Sequence, residues 1–353
     1  MENDAPRYNA TDLIEFATAL LQRAGLAEDR ARVVAGILVE ADLMGHTTHG
    51  LQLLAPYLRE LESGMMAAEG EPDVIADHGA ALTWDGRYLP GPWLVVQAME
   101  TAFERILANP VVTVVIGRSH HIACLAAYPK RATDRGLFML LASSDPNAQG
   151  VAPFGGLRPL YTPNPLAAGI PTQGDPVILD ISMSATTMGL VSRLKQEGQR
   201  LLHPWILDNQ GNASDDPADM YTDPPGSILP LGGLDAGHKG FALGILVEAL
   251  TSALAGHGRA EQPNRWGASV FLQVMDPAAF GGLDAFIRET QWFADAARSN
   301  PTRPGDAPVR LPGSRALQRR SEQLQYGVAL YPAILPGLAE WAGKLGVPLP
   351  REA

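Results

Sequence analysis

The chain changes its hydrophobic rhythm once, near residue 74, and any fold it adopts has to accommodate both sides of that change. Residues 11–75 read as helical. Leu13, Phe16, Ala17, Leu20 and Leu21 recur at i, i+3, i+4 and i+7 spacing. Ala31, Val34, Ala35 and Leu38 repeat the stripe after a break at Gly25, and Ala41 extends it. From about Val74 short β-prone runs take over: Ala81–Trp84, Val111–Ile116, Leu137–Ala142, Val177–Leu179 and Val270–Val274. Apolar helical stretches, Leu94–Leu107 and Gly240–Leu254, lie between some of them. This alternation predicts a sheet covered by helices, an α/β or α+β core. Residues 142–176, rich in Pro and Gly, read as a long loop, and such loops often build sites. Residues 298–314 read as a connector, and Leu335–Leu345 as a final helix able to return to the first ones.

Composition removes several classes of function. The 353 residues carry a formal charge of −11, which argues against a nucleic-acid or anionic-membrane partner. With 46% hydrophobic and 18% charged residues the chain can bury a large core rather than remain disordered. Cys124 is the only cysteine, so no intrachain disulfide forms, which fits a reducing cytoplasm. The opening Met-Glu-Asn-Asp has neither the basic nor the apolar region of a signal peptide, and no apolar run reaches about 18 residues. The expectation is a cytoplasmic protein.

Residues 45–50 read Gly-His-Thr-Thr-His-Gly, between the helical patterns Asp12–Met44 and Leu51–Leu61. Thr48 sets a hydroxyl beside the imidazole of His49, and His46 adds a second imidazole three residues earlier. Imidazole titrates near neutrality and can pass a proton to a developing oxyanion or amine. The plainer reading is a polar turn whose threonine caps the next helix, but capping requires no histidine. As a metal pair, His46-x-x-His49 lacks the glutamate of a zincin pattern, so no metal is expected.

No Gly-x-Gly-x-x-Gly follows a predicted strand, which argues against a Rossmann fingerprint, and neither a P-loop nor Gly-x-Ser-x-Gly is present. Ser119-His120-His121 closes a strand and leads into the small-residue run Ala123–Ala127. That run is either a tightly packed helix start or a place where amides hold phosphate oxygens. Lys239, in Gly237-His238-Lys239-Gly240, stands at the predicted opening of a helix. A cation is unfavourable there unless an anion is bound. Asp180 ends the run Val177–Leu179, either as a loop carboxylate or as an acceptor for ribose or amide groups.

Taken in order, these segments resemble the malate/L-lactate dehydrogenase family with the non-Rossmann fold, over nearly the whole chain. The likeness lies in Glu40-Ala41-Asp42-Leu43, the 45–50 hexapeptide, Ser119-x-His121 and Ala152-Pro153-Phe154-Gly155-Gly156. It continues in Asn164-Pro165-Leu166-Ala167, Leu179-Asp180, Leu231-Gly232-Gly233, His238-Lys239-Gly240 and Asp276-Pro277-x-x-Phe280. The resemblance implies a helical lobe from both chain ends (1–74 and 305–353), a mixed-sheet cofactor domain (75–304) and a homodimer. It implies NADH or NADPH chemistry on 2-oxo or cyclic 2-imino acids, or the reverse oxidation. By motif, His49 takes the proton-donor position with Thr48 in place of the usual serine, and His121 joins it. Cofactor contacts map to His121, Ile122, Ala123, Cys124, Leu125, Asp180, Ile181, Ser182, His238 and Lys239, with a late loop near Pro312, Gly313 and Arg319.

The substrate side departs from the family pattern. Leu53 stands where the family usually carries arginine for the substrate carboxylate, and Pro163 stands where it carries threonine. Met188-Gly189-Leu190 replaces Arg-Gly followed by Asp or Lys. With His46, these residues predict a pocket that cannot pair a carboxylate, because leucine offers no hydrogen bond where arginine offers two. The expected substrate is therefore a ketone or imine more apolar than usual. A 2-oxo acid held by a relocated cation is the alternative, with Arg59, Arg118 and Arg158 as candidates. A cofactor-binding relative with little turnover and a non-redox use of His49 and His121 complete the set.

Overall fold

In the computed structural model, which describes residues 6–353, regular helix in the first segment stops sooner than the stripe suggests. Strand β1 (Arg7–Tyr8) leads into α1 (Ala10–Arg23), whose first turn is capped by the Asn9 side chain. After the Gly25 break come α2 (Glu28–Leu43) and α3 (Leu54–Glu62). Residues 63–72 hold no helix, and β2 (Asp73–Asp77) is already a sheet edge. There follow β3 (Ala81–Asp85), α4 (Gly91–Arg105), β4 (Val111–Ser119), the short α5 (Pro129–Thr133) and β5 (Phe138–Ser144). The expected 142–176 loop contains a strand, β6 (Leu166–Ile170), which pairs with β5 and with β7 (Val177–Ile181).

Beyond β7 lie α6 (Met188–Gln196) and a small sheet of β8 (Ile206–Leu207), β9 (Ala213–Ser214) and β10 (Ser227–Ile228). Helix α7 (Gly233–Glu248), β11 (Ala268–Met275), α8 (Leu283–Arg298), α9 (Ser314–Tyr326), β12 (Val328–Ala329) and α10 (Ile334–Leu345) complete the chain. The main sheet has seven strands in the order β2-β3-β4-β11-β5-β6-β7. Only β3 and β4 run parallel; the other neighbours are antiparallel. That topology is the expected mixed sheet and not a Rossmann sheet, which is mostly parallel. Valine and isoleucine on β4 and β11 fill its centre, as β-branched side chains do on a pleated surface.

One continuous core joins the helices to the sheet. Helix α4 packs on α2 from one side and on β4 and β11 from the other. Leu38, Tyr57, Met99, Ile116 and Leu338 all belong to that core. The chain ends close on one another through the antiparallel pair β1–β12, and α10 packs on α1 and α3. A second, smaller core of Val151, Tyr161, Val191, Ile206 and Ile228 lies under α6.

Candidate active site

The hexapeptide turns where α2 ends, and a buried carboxylate fixes the turn. Asp42, 1% exposed, accepts a hydrogen bond from the Leu51 amide at 2.7 Å, tying the far side of the loop to α2. Gly50 passes so close that a side chain there would overlap that carboxylate, hence the glycine. The second Asp42 oxygen has no hydrogen-bond partner, and burial raises its carboxyl from the usual 3.8 to about 7. The His49 amide donates to the His46 carbonyl at 2.9 Å, and Thr48 Oγ1 meets His49 Nδ1 at 2.9 Å. Nε2 is thus the His49 nitrogen left for a reacting group. Burial pushes His49 below the ordinary histidine value; Asp180 opposes that shift, while His46 and Arg193 add to it.

His121 stacks near His49, with ring centroids 6.1 Å apart. Its Nδ1 accepts from the Ala123 amide at 3.2 Å and lies 2.8 Å from the Tyr57 hydroxyl, which also donates to the His121 carbonyl at 3.1 Å. Trp266 closes over it at 4.9 Å. Burial, with His49 and His120 nearby, drives the His121 pKa well below 6.5, so this imidazole is neutral with its proton on Nε2.

The segment after His121 does not open a helix. Residues 122–124 are irregular, Ala123 adopts a φ of +58°, and a single 3-10 turn, Leu125–Ala127, follows. Ile122, Cys124 and Leu125 are buried in the main core, and Ala126 lines the cavity described next. Asp180 accepts from the Ala126 amide at 2.9 Å. It lines a cavity of about 960 Å³ together with His46, Ile181, Gly313 and Arg319. Ser182 instead bonds the Ser184 carbonyl. Ligand atoms of His46, Cys124 and Asp180 lie within 4.8 Å of one another, but burial raises the Cys124 thiol well above 9.0, and a protonated thiol is a poor metal ligand.

Neither His238 nor Lys239 lines this cavity. Helix α7 begins at Gly233, so both sit within its second turn, exposed, with His238 near Phe154 at 5.6 Å. The helix-start argument for Lys239 falls, because the turn-like Gly232-Gly233 pair is itself the helix entry. On the substrate side, Gly189 lies against Thr48 and His49 and Leu190 follows it in the first turn of α6. Leu53 is taken up by packing on the main core and Met188 by the second core, while the Pro163 carbonyl accepts from the Met183 amide at 2.7 Å.

The cation that sequence reasoning missed is Arg193. One helical turn after Gly189 on α6, it reaches back to the hexapeptide, donating to Thr47 Oγ1 at 3.0 Å and to the Gln52 side chain. Its guanidinium lies 4.0 Å from the Tyr331 ring centre, and among the described residues it forms no salt bridge. The i, i+4 spacing from Gly189 was its only sequence signal. The three arginines considered earlier serve elsewhere: Arg59 and Arg158 are exposed, and Arg118 pairs with Asp85.

The model of the malate/L-lactate dehydrogenase family matches residues 8–339. An L-lactate dehydrogenase of Cupriavidus necator is 30% identical over 351 residues, 98% of this chain and 99% of that one. A (2R)-3-sulfolactate dehydrogenase (NADP(+)) of Chromohalobacter salexigens is 32% identical over 322 residues, 88% of this chain and 91% of its own. Among solved structures, malate dehydrogenase from Entamoeba histolytica superimposes with a TM-score of 0.92 at 24% identity, covering 99% of this chain and 100% of the other. A Δ1-piperideine-2-carboxylate reductase from Pseudomonas syringae gives 0.83 at 25% identity over 95% and 99%.

Proposed function

The chain belongs to the malate/L-lactate dehydrogenase family and is an NAD(P)-dependent dehydrogenase; from that premise we propose that it interconverts small 2-oxo and 2-hydroxy acids bearing an apolar side group. The observation that carries this reading is Arg193. Its half-buried guanidinium has neutral partners only, Thr47, Gln52 and the Tyr331 face. Of the two carboxylates whose charge reaches it, Asp42 is raised to about 7 and Glu197 accepts from the Tyr331 hydroxyl, and neither forms a salt bridge with it. A half-buried guanidinium with no carboxylate in direct contact is under-satisfied, and a substrate carboxylate would supply that contact. Leu190, next to Gly189 in the first turn of α6, would leave the other side of the site apolar.

The cavity lined by Asp180, Ile181, Gly313 and Arg319 would hold the nicotinamide dinucleotide. Its volume of about 960 Å³ stands at the upper end of ligand cavities, more than a three-carbon acid needs. When bound, the nicotinamide supplies or accepts hydride. His49, its Nδ1 held by Thr48, would give its proton to the substrate oxygen during reduction and take it back in oxidation. His121, neutral and locked by Tyr57 and Ala123, would donate a hydrogen bond from Nε2 without changing charge. Helix α7 leaves Leu243, Ile245 and Leu246 exposed, which supports pairing of two copies; a monomer by light scattering would remove that part.

The test compares pyruvate with its uncharged amide as substrates for reduction. We expect kcat/KM to favour the acid by about 30-fold or more, the worth of one charge-assisted contact. Equal values would refute the carboxylate assignment. A His49→Ala protein that keeps its full rate would reject the proton donor.

A further inference from the structure

Arg193 and Glu197 stand four residues apart at the end of α6, and the Glu197 amide donates to the Arg193 carbonyl at 3.0 Å, so the helical turn is continuous through both. Arginine and glutamate at this spacing are neighbours on a helix face and ordinarily pair. Here they do not: among the described residues no salt bridge joins them. Both side chains instead meet Tyr331. Its ring centre lies 4.0 Å from the Arg193 guanidinium carbon, and its hydroxyl donates to the Glu197 carboxylate. Tyr331 belongs to the turn between β12 and α10 and packs, partly buried, on the main core. The exposed Glu197 is thus taken up by the segment after β12, while the terminal nitrogens of Arg193 keep the neutral partners Thr47 and Gln52.

We infer that Tyr331 is a positioning residue for substrate binding: holding Glu197 on its hydroxyl and Arg193 on its ring, it keeps the two from neutralising one another and leaves the guanidinium to the carboxylate of a 2-oxo or 2-hydroxy acid. The inference rests on Arg193 as the partner of that carboxylate. Its physical basis is a competition. Glu197 and a substrate carboxylate offer the same chemistry to one guanidinium, and the carboxylate on the same helix has the advantage of being tethered. A tyrosine can oppose that advantage. Its aromatic face attracts a guanidinium without bringing a negative charge, and its phenol donates to a carboxylate. Phenylalanine would do the first and not the second. Because the ring is anchored on the main core, it stays in place whether or not a substrate is present.

The experiment is steady-state reduction of pyruvate and of its uncharged amide by wild type, Tyr331→Phe, Tyr331→Phe/Glu197→Gln and Arg193→Leu. Releasing Glu197 in Tyr331→Phe should raise KM for pyruvate about fivefold, the upper worth of an exposed ion pair, with kcat within about twofold and the amide unaffected. Adding Glu197→Gln removes the competing charge and should bring KM for pyruvate back to within about twofold of wild type. A rise that Glu197→Gln does not reverse overturns the inference, because the hydroxyl would then support the fold rather than occupy Glu197. So does an unchanged KM in Tyr331→Phe, and so does an equal loss with pyruvate and its amide. In each of these cases an Arg193→Leu protein that loses pyruvate selectively leaves the carboxylate assignment standing. If Arg193→Leu treats acid and amide alike, that assignment falls, and the role of Tyr331 falls with it.

Discussion

Replacing Asp42 by asparagine tests the electrostatics beneath the hexapeptide. The carboxyl is buried, accepts only the Leu51 amide, and is raised from 3.8 to about 7. Its folded value therefore lies above its unfolded one. Between those values the folded protein keeps a proton that the unfolded chain has released, so stability falls as pH rises. Each unit is equivalent to 1.36 kcal/mol, and the span from about pH 5 to about pH 8 covers roughly two effective units. Wild type should therefore lose about 2–3 kcal/mol relative to Asp42→Asn across that span. Asparagine keeps an acceptor for Leu51 and carries no charge. Its amide nitrogen would be as unpartnered as the oxygen it replaces, at a cost independent of pH that cancels from the difference. Urea denaturation of both proteins at several pH values gives the curve. A flat difference would mean that Asp42 titrates normally and stays charged beside Arg193, which would remove the reason for assigning Arg193 a substrate carboxylate.

Three further outcomes follow from the same geometry. Because burial lowers the His49 pKa, the rate of 2-oxo-acid reduction should fall as pH rises through a midpoint below 6.5. Hydroxy-acid oxidation should rise through the same midpoint and level off above it; a midpoint well above 6.5 in both directions would contradict the assignment. Arg193→Leu should raise KM for pyruvate about 30-fold or more and leave the amide of pyruvate nearly unaffected, measured by steady-state kinetics; equal losses would indicate damage to the loop instead. Gly313→Ala places a side chain at φ +83° and 2.9 Å from Ile178, so it should cost about 1–2 kcal/mol in thermal denaturation and weaken dinucleotide binding. An unchanged melting curve would speak against that geometry.

Much of the sheet was legible because β3, β4, β5, β7 and β11 carry β-branched or long apolar runs. Strand β6 was not: Leu-Ala-Ala-Gly-Ile follows two prolines and has little branched content, and it is a strand because β5 and β7 pair with both its edges. Helix α9, with few apolar side chains and only Leu317 and Gln323 buried, gives almost no stripe. The pairing of Thr48 with His49 could be expected from residue types, since a hydroxyl and an imidazole next to one another meet wherever they lie. Arg193 could not, because its meaning depends on α6 docking beside Gln52, a contact 141 residues apart in sequence. Asp42 shows the same limit: its carboxyl is unusual only because the Leu51 amide and the core enclose it.

The support of the hexapeptide from the far end of the chain has a consequence for biosynthesis. Gln323 donates to the carbonyls of Asp42 and Leu43, at the last turn before the histidines, and β12 pairs with β1. During translation the first helices emerge long before the groups that brace them. The nascent chain thus carries His46 and His49 early, yet their loop gains its final support only when α9 and β12 have left the ribosome. Premature termination before α9 would release a protein with every histidine of the site present and the brace beneath them missing.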